Sequence, residues 1–169
     1  MIYIKLLISI GVFGLSGYYG FRASKRYAER EAYFSELVLF CGYLAGEIGF
    51  VRAPLAVIFE KYSASFKSLL AAQLQAAGEI AQSDGVLDAE TLRAVLPRGV
   101  LKSAEYDNAV AFLGVLGKSD AENQLESAAG FKDAFSEYHK QALADKKKYA
   151  PLYWKLGLLG AGAVVLLLF

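Results

Sequence analysis

The chain has 169 residues and a net charge of +1 at pH 7, with 18 basic side chains against 17 acidic ones. That balance marks no nucleic-acid-binding surface, and a single cysteine and a single histidine exclude an intrachain disulfide and a zinc site of the usual ligand types. The hydrophobic share, 56%, is high because the chain begins and ends in apolar stretches, with nearly all its charge between them.

Residues 2–21 carry one charge, Lys5, near the outer end, where a lysine can extend its ammonium to lipid headgroups. As a helix this stretch is roughly 30 Å long, the thickness of a hydrocarbon core. Arg22, Lys25, Arg26 and Arg30 follow at once. A cleavable secretory signal is the competing reading, with residues 6–15 as its apolar region. It lacks an Ala-x-Ala-like site, and the charge-rich stretch beyond Phe21 favours retention on the inner side. Gly11, Gly14, Gly17 and Gly20 recur every third residue and suit close packing against the second span or against a neighbouring copy in a homo-oligomer, although glycine is also common in membrane helices generally.

From residue 27 to residue 51 the apolar positions Tyr27, Phe34, Leu37, Cys41, Leu44, Ile48 and Val51 fall at steps of seven, three and four. They describe one stripe of a long helix continuous with the first span. Gly42, Gly46 and Gly49 weaken it and would permit a close helix crossing. Pro54 ends the element and can itself begin the next. Short helices are predicted over 54–62, 65–81 and 89–96, with a turn at Ser83-Asp84-Gly85 and a stop at Pro97 and Gly99. A further helix covers 105–116 and closes at Gly117.

Ser119 and Glu122 form a capping box, in which each side chain satisfies an orphan backbone amide of a helix start. From Asp120 the apolar residues Leu125, Ala128, Phe131, Phe135, Tyr138 and Ala142 keep a helical period up to Pro151, the expected kink or join to a second span. Residues 156–169 carry no charge and reach roughly 21 Å; starting at Leu152 gives roughly 27 Å, with Tyr153 and Trp154 at the interface. Gly157, Gly160 and Gly162 open this span, and a tail lying in one leaflet is the alternative. Lys146, Lys147, Lys148 and Lys155 flank it. Basic residues beside spans stay in the cytoplasm, so the two clusters agree on one topology: both termini outside and the middle inside. The expected organisation is a transmembrane helix over 1–21, a cytoplasmic helical domain over 22–151 and a transmembrane helix over 152–169. No alternating strand pattern occurs, and the fold class is all-α, a membrane-anchored helical bundle with two long helices and several short ones.

Little in the sequence suggests catalysis. Cys41 lies on the apolar stripe and reads as a core thiol; His139 beside Lys140 reads as a solvated residue. The glycines follow lipid or helix patterns, not a phosphate-binding loop. Asp84–Asp88 resembles part of a calcium loop, but its register places Ile80 and Thr91 at the outer ligand positions, where neither supplies a carboxylate. Among the acids Glu36 reads as a solvated charge and Glu122 as a cap. Glu47 and Asp120 are candidates for a partner surface, Glu47 above all because it neighbours the packed stripe. Neither an enzyme nor a cofactor is expected. A pore-lining subunit would need intramembrane charge, and Lys5 and Lys155 both sit near ends.

Several pieces stand in a fixed order: Ala23 with Glu29-Arg30, then Glu47-Ile48-Gly49-Phe50, then Pro54-Leu55. The run Leu113-Gly114-Val115-Leu116-Gly117-Lys118-Ser119-Asp120, followed by Asn123-Gln124, is the most specific part. Lys148-Tyr149, Leu152-Tyr153 and Leu156-Gly157-Leu158 complete the set. In this order the pieces resemble the stage III sporulation protein AB family. The extra glycines at 42, 46 and 49 and the stretch 64–103 depart from it. The resemblance implies a non-enzymatic membrane component of the channel complex between mother cell and forespore, held in the mother-cell membrane. That family is similar to the cytoplasmic domain of inner-membrane platform proteins of type II secretion and type IV pilus systems. By that likeness the domain would dock the motor ATPase, stage III sporulation protein AA, and join other stage III channel proteins. Gly117, Ser119, Asp120 and Gln124 would serve as a tight turn and helix start. The alternative is a membrane-anchored scaffold or channel subunit that touches no ATPase.

Overall fold

A computed structural model describes residues 2–83, 87–116 and 121–168. The described residues are helical with short connections and contain no strand: α1 (Ile2–Gly46), a π-helical turn (Glu47–Val51), α2 (Leu55–Ser65), α3 (Leu69–Ser83), α4 (Ala89–Val95), α5 (Ser103–Leu116) and α6 (Ala121–Leu168). The all-α expectation holds. The boundaries follow from local chemistry. Ser68 Oγ accepts the amide of Ala71 at 3.0 Å and starts α3, so that helix begins four residues later than the apolar pattern alone predicts. Asp88 caps α4 by accepting from the amides of Glu90 and Thr91. Glu105 folds back to accept from Lys102 N–H at 2.9 Å at the head of α5. The predicted turn at Asp84-Gly85, and Gly117, Ser119 and Asp120 of the predicted capping box, lie outside the described residues.

Pro151 neither ends nor divides α6, which runs through it to Leu168. Proline deletes one hydrogen bond to the carbonyl four residues back, a local loss of about 3 kcal/mol in a helix interior. The turns on both sides of Pro151 pair with α1, and the helix is continuous across the expected kink or join.

The chain divides into two compact units, one of residues 1–31 with 140–169, the other of residues 32–139. In the larger unit the predicted stripe of α1 is the core: Phe34, Leu37, Cys41, Leu44 and Ile48 are buried, joined by Tyr33 and Phe40. Phe40 meets Phe59 and Tyr62 of α2 and Phe112 of α5, and Phe112 in turn meets Phe131 and Phe135 of α6. Burying such rings contributes about 1.5–3 kcal/mol each, with a further increment from edge-to-face geometry. The core also holds a polar relay: Tyr33 Oη donates to Gln73 Oε1 at 2.7 Å, and Gln73 Nε2 donates to the Pro97 carbonyl at 2.8 Å. Gln73 is 1% exposed, so losing either partner would strand a buried polar group.

In the smaller unit α1 and α6 run antiparallel, since contacts climb along one helix as they descend the other. Ser16 Oγ donates to the Gly157 carbonyl at 2.7 Å, Tyr27 stacks on Tyr149 and Tyr153, and Arg30 reaches Asp145 at 2.8 Å. A methyl at Gly20 would stand 2.8 Å from the Tyr153 carbonyl oxygen and 3.1 Å from the Gly157 Cα, so these backbones touch because both residues are glycine. The other glycines predicted for close packing differ. Gly11, Gly14, Gly17, Gly42, Gly46, Gly49 and Gly162 have no neighbour within that reach, and a methyl at Gly160 would make only an ordinary contact with Ser16 Oγ. Among the described residues one helix is long and apolar enough to cross a membrane, beginning near the N-terminus. The C-terminal apolar stretch does not qualify among those residues, and its side chains from Val164 onward lie outside them.

Candidate functional site

The residues of 47–55 form a corner in the larger unit. After Gly46 the helix widens into a π turn, whose larger circumference breaks the 3.6-residue phase of the stripe. Ile48 still points into the core, but Phe50 is 92% exposed and Val51 60% exposed. Val51 therefore leaves the buried stripe to which its spacing assigned it. The turn is closed by Arg52, a non-glycine residue in the left-handed region at φ 56°, ψ 36°, whose N–H donates to the Glu47 carbonyl. Ala53 N–H reaches the same oxygen at 3.3 Å. Pro54 is the cap residue of α2, and its carbonyl accepts the amides of Val57 and Ile58; Leu55 is the first helical residue and is half-buried.

Glu47 sits at the base of this corner. Its Oε2 is buried without a hydrogen bond among the described residues, with Lys61 Nζ 3.9 Å away. Burial, and then the Glu47 charge, push the neighbouring Tyr43 hydroxyl above its ordinary range. The carboxylate also meets the Tyr43 hydroxyl, so one oxygen is held within the corner while Oε2 is buried beside Lys61. Glu47, Pro54 and Leu55 are thus brought together, with exposed apolar side chains between them.

Beside the corner, α2 and α3 enclose a groove of about 380 Å3 lined by Ala56, Glu60, Ser63, Gln75, Glu79 and Gln82. Gly78 forms part of its wall, where Phe59 Cβ approaches. Its rim is acidic and amide-rich, and no basic side chain lines it.

Other predicted residues do different work. Gln124 Nε2 donates to the Leu116 carbonyl at 2.7 Å, fastening the end of α5 to the start of α6, while Asn123 is exposed beside it. Arg30 is only 4% exposed and is ion-paired with Asp145; Lys146 is ion-paired with Glu31 at 2.8 Å. These two basic residues join helices rather than standing free at a membrane surface. Arg22, Lys25, Arg26, Lys147, Lys148 and Lys155 are exposed. Glu36 is no solvated charge: it is half-buried, accepts from Ser68 Oγ at 2.7 Å, and burial raises its carboxyl above the ordinary range. Cys41 is buried, and burial pushes its thiol up to about 12, which suits a core residue and not a nucleophile. His139 is half-buried rather than freely solvated.

Sequence reasoning missed the π turn, the left-handed Arg52 and the groove. The only available signal for the turn was Gly46 and Gly49 bracketing Ile48 shortly before Pro54. Among the described residues no cluster of three or more histidine, cysteine or acidic side chains could hold a metal ion.

No curated protein and no solved structure matches the chain. Residues 5–169 match the family described as stage III sporulation protein AB, nearly the whole length. With the Glu47–Phe50 and Pro54-Leu55 pieces gathered at one corner, the chain belongs to the stage III sporulation protein AB family and so has a role in stage III of sporulation.

Proposed function

We propose that this chain is a non-enzymatic membrane platform of the channel complex between mother cell and forespore, and that its 47–55 corner docks the motor ATPase, stage III sporulation protein AA. The observation that carries this reading is Phe50, a large aromatic side chain left in solvent on a strained, well-anchored turn. Aromatic residues on rigid supports lose little entropy on binding and dominate interface energetics. Glu47 at the base of the turn is half-buried and adds negative charge to this corner. Membrane attachment would come from the apolar part of α1 and from the end of α6, with residues 22–151 in the cytoplasm and both termini outside.

The test is co-purification, in mild detergent, of the tagged full chain with its host's stage III sporulation protein AA. A variant lacking residues 22–150 is the control. Stable association that needs those residues is the expected result. Failure of the intact chain to retain the ATPase, with its helicity confirmed by circular dichroism, would contradict the docking role.

A further inference from the structure

The two basic clusters lie far apart in sequence, and the pairing of α1 with α6 brings them to one level of the smaller unit. Gly20 meets Gly157, Tyr27 stacks between Tyr149 and Tyr153, and Arg30 meets Asp145. Arg22, Lys25 and Arg26 therefore share a band with Lys147, Lys148 and Lys155. All six side chains are exposed.

The band is graded along the helices. At its polar end the cations are internally neutralised, Arg30 by Asp145 and Lys146 by Glu31. At its apolar end Arg22 bonds the Tyr18 hydroxyl, a neutral group, and Lys155 is exposed, while Lys148, nearer the ion pairs, lies 4.9 Å over the Tyr149 ring. Lys25 has Glu29 at 3.5 Å, an exposed pair that water and salt readily open. Exposed apolar and aromatic side chains begin within this band and continue past it: Leu152 and Tyr153 between Lys148 and Lys155, Leu156 past Lys155 on α6, and Tyr18, Tyr19 and Phe21 past Arg22 on α1. Aromatic rings of this kind settle at the level of lipid headgroups. A double row of cations at that depth meets phosphate, and its excess positive charge favours lipids with net negative headgroups over zwitterionic ones.

We infer that the α1–α6 collar is a binding site for anionic phospholipid headgroups, formed jointly by Arg22, Lys25 and Arg26 of one helix and Lys147, Lys148 and Lys155 of the other. The inference rests on the reading of the apolar part of α1 as a membrane span.

The full chain would be reconstituted into vesicles of brominated phosphatidylglycerol or brominated phosphatidylcholine, and quenching of its one tryptophan would give relative association constants. The glycerol lipid is expected to be favoured at least threefold, with the preference shrinking toward unity as sodium chloride rises to 1 M. A variant with Arg22, Lys25, Arg26, Lys147 and Lys148 all changed to Gln should lose the preference while still quenched by both lipids. Equal constants for the unaltered chain at low salt would overturn the inference. So would a preference that survives 1 M salt, a readout that requires no variant to fold. Quenching by neither lipid, with the chain failing to float with vesicles, would instead overturn the membrane reading on which the collar depends.

Discussion

Cys41, Glu36 and Arg52 each turn a local environment into a measurable behaviour. With its thiol raised to about 12 by burial, Cys41 should be alkylated at pH 8 roughly a thousandfold more slowly than an exposed cysteine, and at the ordinary rate once urea unfolds the chain. Fast labelling of the folded protein would contradict its core position. Glu36 carries a pH dependence of definite sign. Burial raises its carboxyl, with the Ser68 hydrogen bond opposing. Its favourable contribution is present below the unfolded-state value and is lost as pH rises through the higher folded-state value. Glu36→Gln keeps an acceptor for Ser68 and cannot ionise, so its stability should fall less than that of the unaltered chain as pH climbs through the upper carboxylate range, and should be no lower at pH 7. A variant clearly less stable at pH 7 would show that the charge itself is needed. Arg52 holds a left-handed conformation that glycine adopts freely, so Arg52→Gly should stabilise by about 0.5–1 kcal/mol in urea titration. Destabilisation would mean that the arginine side chain supports the corner.

At the scale of elements, most helices were legible because apolar residues at three- and four-residue steps leave few alternatives. The stripe Phe34, Leu37, Cys41, Leu44, Ile48 and the series Ala128, Phe135, Ala142 are buried as spaced. Pro151 marks a kink or join in the sequence, and α6 is continuous through it, with α1 paired to both sides. Spacing alone is silent where a neighbouring helix decides. Seven or more glycines looked alike in sequence, and only contact with another backbone distinguishes Gly20 and Gly157 from the rest. Gly20→Val should therefore destabilise the α1–α6 pairing by about 1–3 kcal/mol, because backbone atoms cannot yield as a flexible side chain would. Gly14→Val, with open space around it, should change little. Thermal unfolding in detergent separates the two, and equal shifts would remove the special status of the crossing. The π turn was illegible for a different reason: no residue type demands it, and it arises from fitting Ile48 inward before a proline-led helix.

For the molecule as a whole, the candidate site was only half readable. Glu47, Pro54 and Leu55 were singled out, and they converge on one corner; Phe50 acquired its meaning only when the turn left it in solvent. Gly117, Ser119 and Asp120 lie outside the described residues, and Gln124 serves a joint between helices. In the proposed function the smaller unit attaches the chain to the membrane and carries the basic collar, and the larger unit offers the partner an aromatic anchor. Its central claim concerns that anchor. The direct measurement is the affinity of the full chain, in detergent, for stage III sporulation protein AA, with Phe50→Ala compared against Phe66→Ala, another exposed aromatic in the same unit. Phe50→Ala should weaken binding by tenfold or more, about 1.4 kcal/mol, while Phe66→Ala leaves it unchanged. Equal affinity for the unaltered chain and Phe50→Ala would contradict docking at this corner.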